Sequence, residues 1–251
     1  MPKGAGTLES TPPFIHAENL TRRYGYKVAL RQVSLAVPAG QLVALCGPSG
    51  AGKTTLIKVL ATLLQPSAGR VTIAGLDIRR DARQVRAQIG LVSHASLLYE
   101  ALTAKENLVF AGRLYGLPNP AGRAAELLAE VGLSPVADDP VRTFSRGMKQ
   151  RLSIARALVH QPSLLLLDEP FTGLDQPATA ILRDWLATWR AEGRTVLLAT
   201  HDLETGLTLA DRVLVLSQGR LVHDGTTAGV SATAFRAIYQ EAISAGQVKQ
   251  A

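Results

Sequence analysis

A run of nine residues, Gly47, Pro48, Ser49, Gly50, Ala51, Gly52, Lys53, Thr54 and Thr55, constrains this chain more than any other stretch. It fits the pattern Gly-x-x-x-x-Gly-Lys-Ser/Thr, with Gly47, Gly52, Lys53 and Thr54 at the fixed positions. An apolar run, Leu42–Cys46, enters it, and a helix-like run, Thr55–Leu60, leaves it. A strand that feeds a glycine-rich turn and then a helix aims several backbone N–H groups and a positive helix end at one point. Glycines let the backbone take up the required dihedrals and come close to an anion. The spacing predicts a phosphate cradle in which Lys53 reaches the β- and γ-phosphates of a nucleotide and the Thr54 hydroxyl holds Mg²⁺.

A second stretch completes the chemistry. Leu164 to Leu167 form a buried-strand run that ends in two carboxylates, Asp168 and Glu169. Asp168 at the strand tip is placed to hold the Mg²⁺ shell opposite Thr54. Glu169, one residue on, points differently and suits a general base that polarises an attacking water. Another strand-like run, Thr195–Ala199, is followed by His201. That residue lies just beyond a strand's C-terminal end, where open α/β sheets bind ligands, and it fits a contact to the γ-phosphate or to the water of Glu169. Ser145 stands before the helical run Met148–Val159. As an N-cap it has a structural reason to be there, and the same helix end is equally able to bind an anion; spacing alone leaves both open.

Strand-like runs at Phe14–Asn19, Val33–Val37, Val71–Ala74, Ile89–Ser93, Arg212–Leu216 and Arg220–His223 alternate with helical ones, which indicates a mostly parallel α/β sheet. Helical periodicity takes over across 94–160, including Ala121–Val131, and reads as an insertion into that sheet. Residues 14–93 and 161–225 then form the core, 1–13 a flexible tail rich in Pro, Gly, Thr and Ser, and 226–251 a helical C-terminal segment. The tail has no apolar stretch of the signal-peptide kind, and no run approaches the length that spans a bilayer. The helix Ala178–Glu192 carries Trp185 and Trp189 on one face, as core packing requires. Cys46, the only cysteine, excludes an intrachain disulfide and reads as a small buried filler. The net charge of +7 fits nucleic acid, an acidic membrane surface or neither; without a Lys/Arg block it reads as a solvated face, and no nucleic-acid partner is expected.

In their order along 14–225 these segments resemble the ATP-binding subunits of ABC transporters. The resemblance implies a RecA-like P-loop NTPase fold of α/β class, with a mixed, mostly parallel sheet, an antiparallel β subdomain and an inserted helical subdomain. It assigns adenine stacking to Tyr24 and the phosphate loop to Gly47–Thr55. It assigns the signature motif to Phe144, Ser145, Arg146, Gly147 and Met148, and magnesium and catalysis to Asp168 and Glu169. The loop that follows maps to Gly173, Leu174 and Asp175, and the switch histidine to His201. The family also implies that two copies stack head to tail around two ATP molecules, with Ser145 and Gly147 of one copy touching the γ-phosphate held by Lys53 of the other. Integral membrane subunits would complete the transporter, with the chain on the cytoplasmic face of the cell membrane.

Two departures from the family pattern stand out. His94 takes the place of a Gln that reaches Mg²⁺ and the water, so ATPase activity is expected to fall more steeply below about pH 6.5 than in His94→Gln. Arg146 and Met148 replace a Gly and a Gln of the signature. The stretch from Ser93 to Tyr99, with Leu102, Thr103, Glu106, Asn107 and Leu108, looks most like the ATPase of the haem exporter of cytochrome c maturation. A generic drug, polysaccharide or lipid exporter shares the Phe144–Met148 variant, and a soluble ABC ATPase of an assembly system is the remaining alternative. No direct haem ligand is expected among His16, His94, His160, His201 and His223. Leu97, Leu98 and Tyr99 suit either a groove for a membrane subunit's short helix or the core of the helical subdomain.

Overall fold

The computed structural model describes residues 12–93, 96–174 and 176–248. His94 and Asp175, both singled out above, and the tail up to residue 11 lie outside the described residues.

Two sheets organise the fold. The larger has six strands: β3 (Leu42–Cys46), β6 (Ile89–Val92), β7 (Leu164–Asp168), β8 (Thr195–Thr200), β9 (Arg212–Ser217) and β10 (Arg220–Thr226). Their order is β10-β9-β3-β8-β7-β6, and all neighbours run parallel except the antiparallel β9–β10 pair. Parallel strands covered on both faces read as continuous apolar runs, and β3, β7 and β8 are buried at every position. Successive side chains go to opposite faces, so each strand feeds two cores. Ala44, Cys46, Leu165, Leu167 and Leu198 join the helices α5 (Arg146–Leu158) and α6 (Gln176–Ala191). Val43, Leu45, Leu164, Leu166 and Leu197 join α1 (Lys53–Leu60) and the smaller sheet.

That smaller sheet is antiparallel, in the order β2-β1-β4-β5. It comprises β1 (Ile15–Tyr24), β2 (Lys27–Val37), β4 (Ala68–Ile73) and β5 (Leu76–Asp77). β1 and β2 are longer than the apolar runs that mark them. Asn19 and Gln32 take left-handed φ values of +49° and +51°, where register shifts break the period-two pattern. Exposed residues near the Gly25-Tyr26 turn extend the pair to Tyr24 and Lys27.

The insertion holds α3 (Ala104–Leu114), α4 (Pro120–Glu130), short 3₁₀ turns at Ser134–Val136 and Val141–Thr143, and α5. Thr103 and Glu106 close a reciprocal capping box at the start of α3. α5 begins at Arg146, two residues before the apolar periodicity, because Ser145 caps it there. Its Leu152, Ala155 and Leu158 share one core with Val92 and Leu165 of the sheet. Two short helices, α2 (Ala82–Ala87) and α7 (Leu203–Leu209), have too few turns to show a period. α8 (Ala232–Val248) seats Phe235 and Tyr239 on the core shared with β9. Trp189 is 2% exposed and its ring lies 6.4 Å from that of Trp185, so this pair is core. Cys46 is fully buried, and burial pushes its thiol up to about 12.

Candidate nucleotide-binding site

β3, β8 and β7 are adjacent in the sheet, and their C-terminal ends deliver the site. The loop after β3 turns into α1 at Gly52, whose φ is +110° and which offers no side-chain cap. A Cβ on Gly52 would stand 2.6 Å from the Ala29 carbonyl, and one on Gly47 (φ +152°) would overlap the Leu216 carbonyl. Both positions therefore require glycine for room as well as for dihedral freedom. Lys53 is only 7% exposed; its Nζ donates to the carbonyls of Gly47 (2.7 Å) and Pro48 (3.2 Å).

Asp168 ends β7 and is 3% exposed. Its carboxyl accepts from Thr54 Oγ1 at 3.1 Å. Burial pushes the Asp168 carboxyl above the usual carboxylate range; the Thr54 bond and the Lys53 charge act the other way. Glu169 leaves the strand at φ +54° while its N–H still donates to Ala199 O at 2.9 Å. Such a left-handed conformation is uncommon for a glutamate and concentrates at functional sites. It turns the side chain so that Oε1 lies 3.7 Å from Lys53 Nζ and Oε2 lies 2.8 Å from His201 Nδ1. One carboxylate is thus held between a buried ammonium and an imidazole that is largely exposed.

A cavity of about 880 Å³ opens over this group. Tyr24, the residues Ser49–Thr55 and Glu169, all singled out in the sequence, line it together. So do Ala29 and Arg31 of β2, and Gln218 and Gly219 of the β9–β10 turn. These four went unpredicted because they enter through tertiary contact: Gly219 N donates to Ala51 O at 2.8 Å, and Arg31 N to Gly219 O at 2.7 Å. Tyr24 is 43% exposed, and the Arg22 guanidinium covers one side of its ring, 4.8 Å from the centroid.

Ser145 and Gly147 do not line this cavity. Ser145 is exposed, and its Oγ accepts from Met148 N at 3.3 Å. A Cβ on Gly147 would meet nothing within 4 Å. Within the chain, α5 is tied to the loop after Glu169 by Gln150 Nε2, which donates to Pro170 O at 3.0 Å, and by Arg146, whose guanidinium fills the space over Gly173.

The strand-loop-helix cradle, the paired carboxylates and the sheet order define a P-loop nucleotide-binding domain. The model of the ABC transporter family matches residues 30–172, and the chain belongs to that family as an ATP-binding subunit. It is 42% identical over 218 residues to a daunorubicin resistance ATP-binding protein of Streptomyces coeruleorubidus, covering 86% of this chain and 68% of that one. A linearmycin resistance ATP-binding protein of Bacillus subtilis is 37% identical, over 84% of this chain and 69% of its own length. A Nod factor export ATP-binding protein of Burkholderia orbicola is 39% identical, over 84% and 70%. Among solved structures, an ATP-binding subunit of an ABC transporter superposes with a TM-score of 0.82 at 32% identity, covering 90% of this chain and 99% of that one. A dimeric ATP-binding cassette in a post-hydrolysis state, bound to ADP and Pi, gives 0.78 at 27% identity, over 86% and 100%.

Proposed function

We propose that the chain hydrolyses ATP as one half of a head-to-tail pair and drives an exporter of amphiphilic molecules from the cytoplasmic face of its membrane subunits. The observation that carries this reading is Glu169, oriented by His201 and set beside Lys53 at the wall of the nucleotide cavity. In this role Tyr24 stacks on the adenine, and Gly47, Pro48, Ser49, Gly50, Ala51, Gly52, Lys53, Thr54 and Thr55 wrap the phosphates. Glu169 accepts a proton from the attacking water and His201 keeps that carboxylate aimed. Thr54 and Asp168, two oxygen donors already 3.1 Å apart, suit a hard cation, and His94 joins them on the sequence alone. Thr54 and Asp168 would hold Mg²⁺ there, and the ion would supply positive charge for the transferring phosphoryl group.

Ser145 and Gly147 lie off the cavity of their own chain, which supports their use by a second copy. The dimeric cassette bound to ADP and Pi adds to that support. Their helix end then meets the γ-phosphate in trans, and its cleavage removes the bridge between the two copies.

The names of the relatives favour the drug or lipid type of exporter over haem export: two are resistance ATPases for antibiotics and one serves Nod factor export. The resemblance to the haem-exporter ATPase, carried by a short stretch after Ser93, gains nothing from them. Among the described residues no helix is long and apolar enough to cross a membrane. In this reading the substrate path belongs to partner subunits.

Light scattering on purified Glu169→Gln tests the pairing. With saturating MgATP it should run as a dimer and hydrolyse about 10² to 10⁴ times more slowly than the parent. A variant that stays monomeric at every nucleotide concentration, with membrane partners present, would sink the proposal.

A further inference from the structure

One partly buried cation in the nucleotide cavity has no partner among the described residues. Lys27, Arg31 and Lys53 line that cavity. Lys53 donates to the carbonyls of Gly47 and Pro48 and lies 3.7 Å from Glu169, and Lys27 is exposed. Arg31 is partly buried, and its guanidinium forms neither a hydrogen bond nor an ion pair among the described residues. Its Nε is shielded from solvent without an acceptor. Among the described residues that line the cavity, Glu169 is the only carboxylate, and it already faces Lys53 and His201. Withdrawing a guanidinium from water without an acceptor is costly, and an anionic ligand offsets that cost.

The backbone fixes where Arg31 stands. Its N–H donates to Gly219 O at 2.7 Å, and the Gly219 N–H donates to Ala51 O at 2.8 Å. Two hydrogen bonds thus tie β2 to the phosphate loop through the β9–β10 turn. The packing there is close, because a Cβ on Gly219 would stand 2.6 Å from Ala29 O. Along β2, Arg31 is four residues, about 13 Å, from Lys27, which pairs with Tyr24 at the base end of the cavity. Lys53 and Thr54 serve the other end, at the β- and γ-phosphates. Arg31 is anchored to neither end but to Ala51, in the loop ahead of Lys53. Between the base and the β-phosphate a nucleotide carries a neutral ribose and an anionic α-phosphate, and only the second offsets the charge of a guanidinium. The planar fork of Arg also matches two phosphate oxygens.

We propose that Arg31 is a nucleotide-binding residue whose guanidinium hydrogen-bonds the α-phosphate of ATP, and of ADP once the γ-phosphate has gone. The contact is common to substrate and product, so it secures the nucleotide without favouring the transition state. The proposal rests on the reading of this cavity as the nucleotide site, and it depends neither on the exporter nor on a second copy.

Titration calorimetry of the full chain with ATP and with ADP tests it, without Mg²⁺ so that neither hydrolysis nor the preference of a metal enters. Arg31→Gln should weaken both nucleotides by the same factor, about tenfold. In turnover with Mg²⁺ it should raise KM while kcat holds. Arg31→Met keeps the aliphatic stem and should match Arg31→Gln, whereas Arg31→Lys keeps the charge without the fork and should lose about threefold. A stereochemical probe identifies the phosphate. The two diastereomers of ATP with one α-oxygen replaced by sulfur differ in which oxygen is left to accept, and the ratio of their affinities should change about threefold or more in Arg31→Gln. Affinities in Arg31→Gln equal to the parent's overturn the contact. A loss for ATP alone assigns the guanidinium to the γ-phosphate, and an unchanged diastereomer ratio reduces Arg31 to packing or diffuse charge; each overturns the proposal and leaves the nucleotide site standing. A parent that binds neither nucleotide overturns the site itself.

Discussion

The N-termini of α1 and α5 obey the same physics and are built to opposite ends. Each offers free N–H groups and the positive end of a helix dipole. α1 starts behind Gly52, which has no side chain to cap it, in the middle of the sheet with Lys53 7% exposed. α5 starts behind Ser145, which caps it through a bond of 3.3 Å, at the long end of the hydrogen-bond range, on an exposed surface. The first end is closed in by its own chain, with the carbonyls of Ala29 and Leu216 where any Cβ would go. The second has open space around Gly147. A helix end without a cap and enclosed by backbone is a finished anion site. One that is weakly capped and open is, in the proposed mechanism, the half of a site that a second copy completes.

The largest expected effect comes from violating the closed end. Gly47→Ala forces a methyl into the Leu216 carbonyl, so the loop must shift away from the phosphates. Loss of two charge-assisted N–H contacts should weaken ATP binding about 100-fold or more, as titration calorimetry would show. Binding within a few-fold of the parent would mean that the loop is not the phosphate cradle.

The matching change at the open end separates local stability from function in trans. Gly147→Ala meets no neighbour and replaces a glycine inside a helix. Thermal stability should hold or rise, by up to about 1 kcal/mol on helix propensity. ATP binding by the single chain should stay within about twofold, whereas steady-state hydrolysis should fall about tenfold or more as a phosphate contact between copies is crowded out. Unchanged hydrolysis would remove Gly147 from the second copy's site.

The same contrast explains what the sequence discloses. The closed end lies within nine consecutive residues, so its chemistry can be read without a structure. Asp168 and Glu169 are legible because the strand Leu164–Asp168 is buried on both faces and announces its own end. The left-handed turn at Glu169, and its bond to a histidine 32 residues on, depend on β7 and β8 being neighbours and have no local signal. The cavity wall from Gln218 and Gly219 is hidden for the same reason. An apolar groove on the insertion was half legible: Tyr99 and Leu97 stand out in the sequence, but Leu63 and Tyr115 reach it only through folding. The haem-exporter resemblance drew on a few residues around Tyr99, too short a stretch for its pattern to separate one exporter type from another. Over 218 residues the chain is 42% identical to a daunorubicin resistance ATP-binding protein, a likeness spread along most of its length.

The far end of α5 yields the smallest effect and shows that this helix also carries stability. His160 follows its last turn, stacked on Tyr115, with Arg156 and Arg86 lining the same small cavity. Burial pushes its imidazole down from 6.5 to about 4, and the Arg156 charge adds to that, while the contact with Ile89 O opposes it. A histidine whose folded value is depressed binds protons more readily in the unfolded chain. Its contribution to stability is therefore complete above about pH 6.5 and declines as pH falls toward 4. Between pH 7.5 and 5.5 this one group should lower stability by about 1 kcal/mol. His160→Phe keeps an aromatic ring against Tyr115 and cannot titrate, so its urea midpoint should move less over that interval than the parent's, whatever its absolute stability. Parallel pH curves for the two proteins would show that the imidazole is not desolvated in the fold, and would leave α5 with its functional end alone.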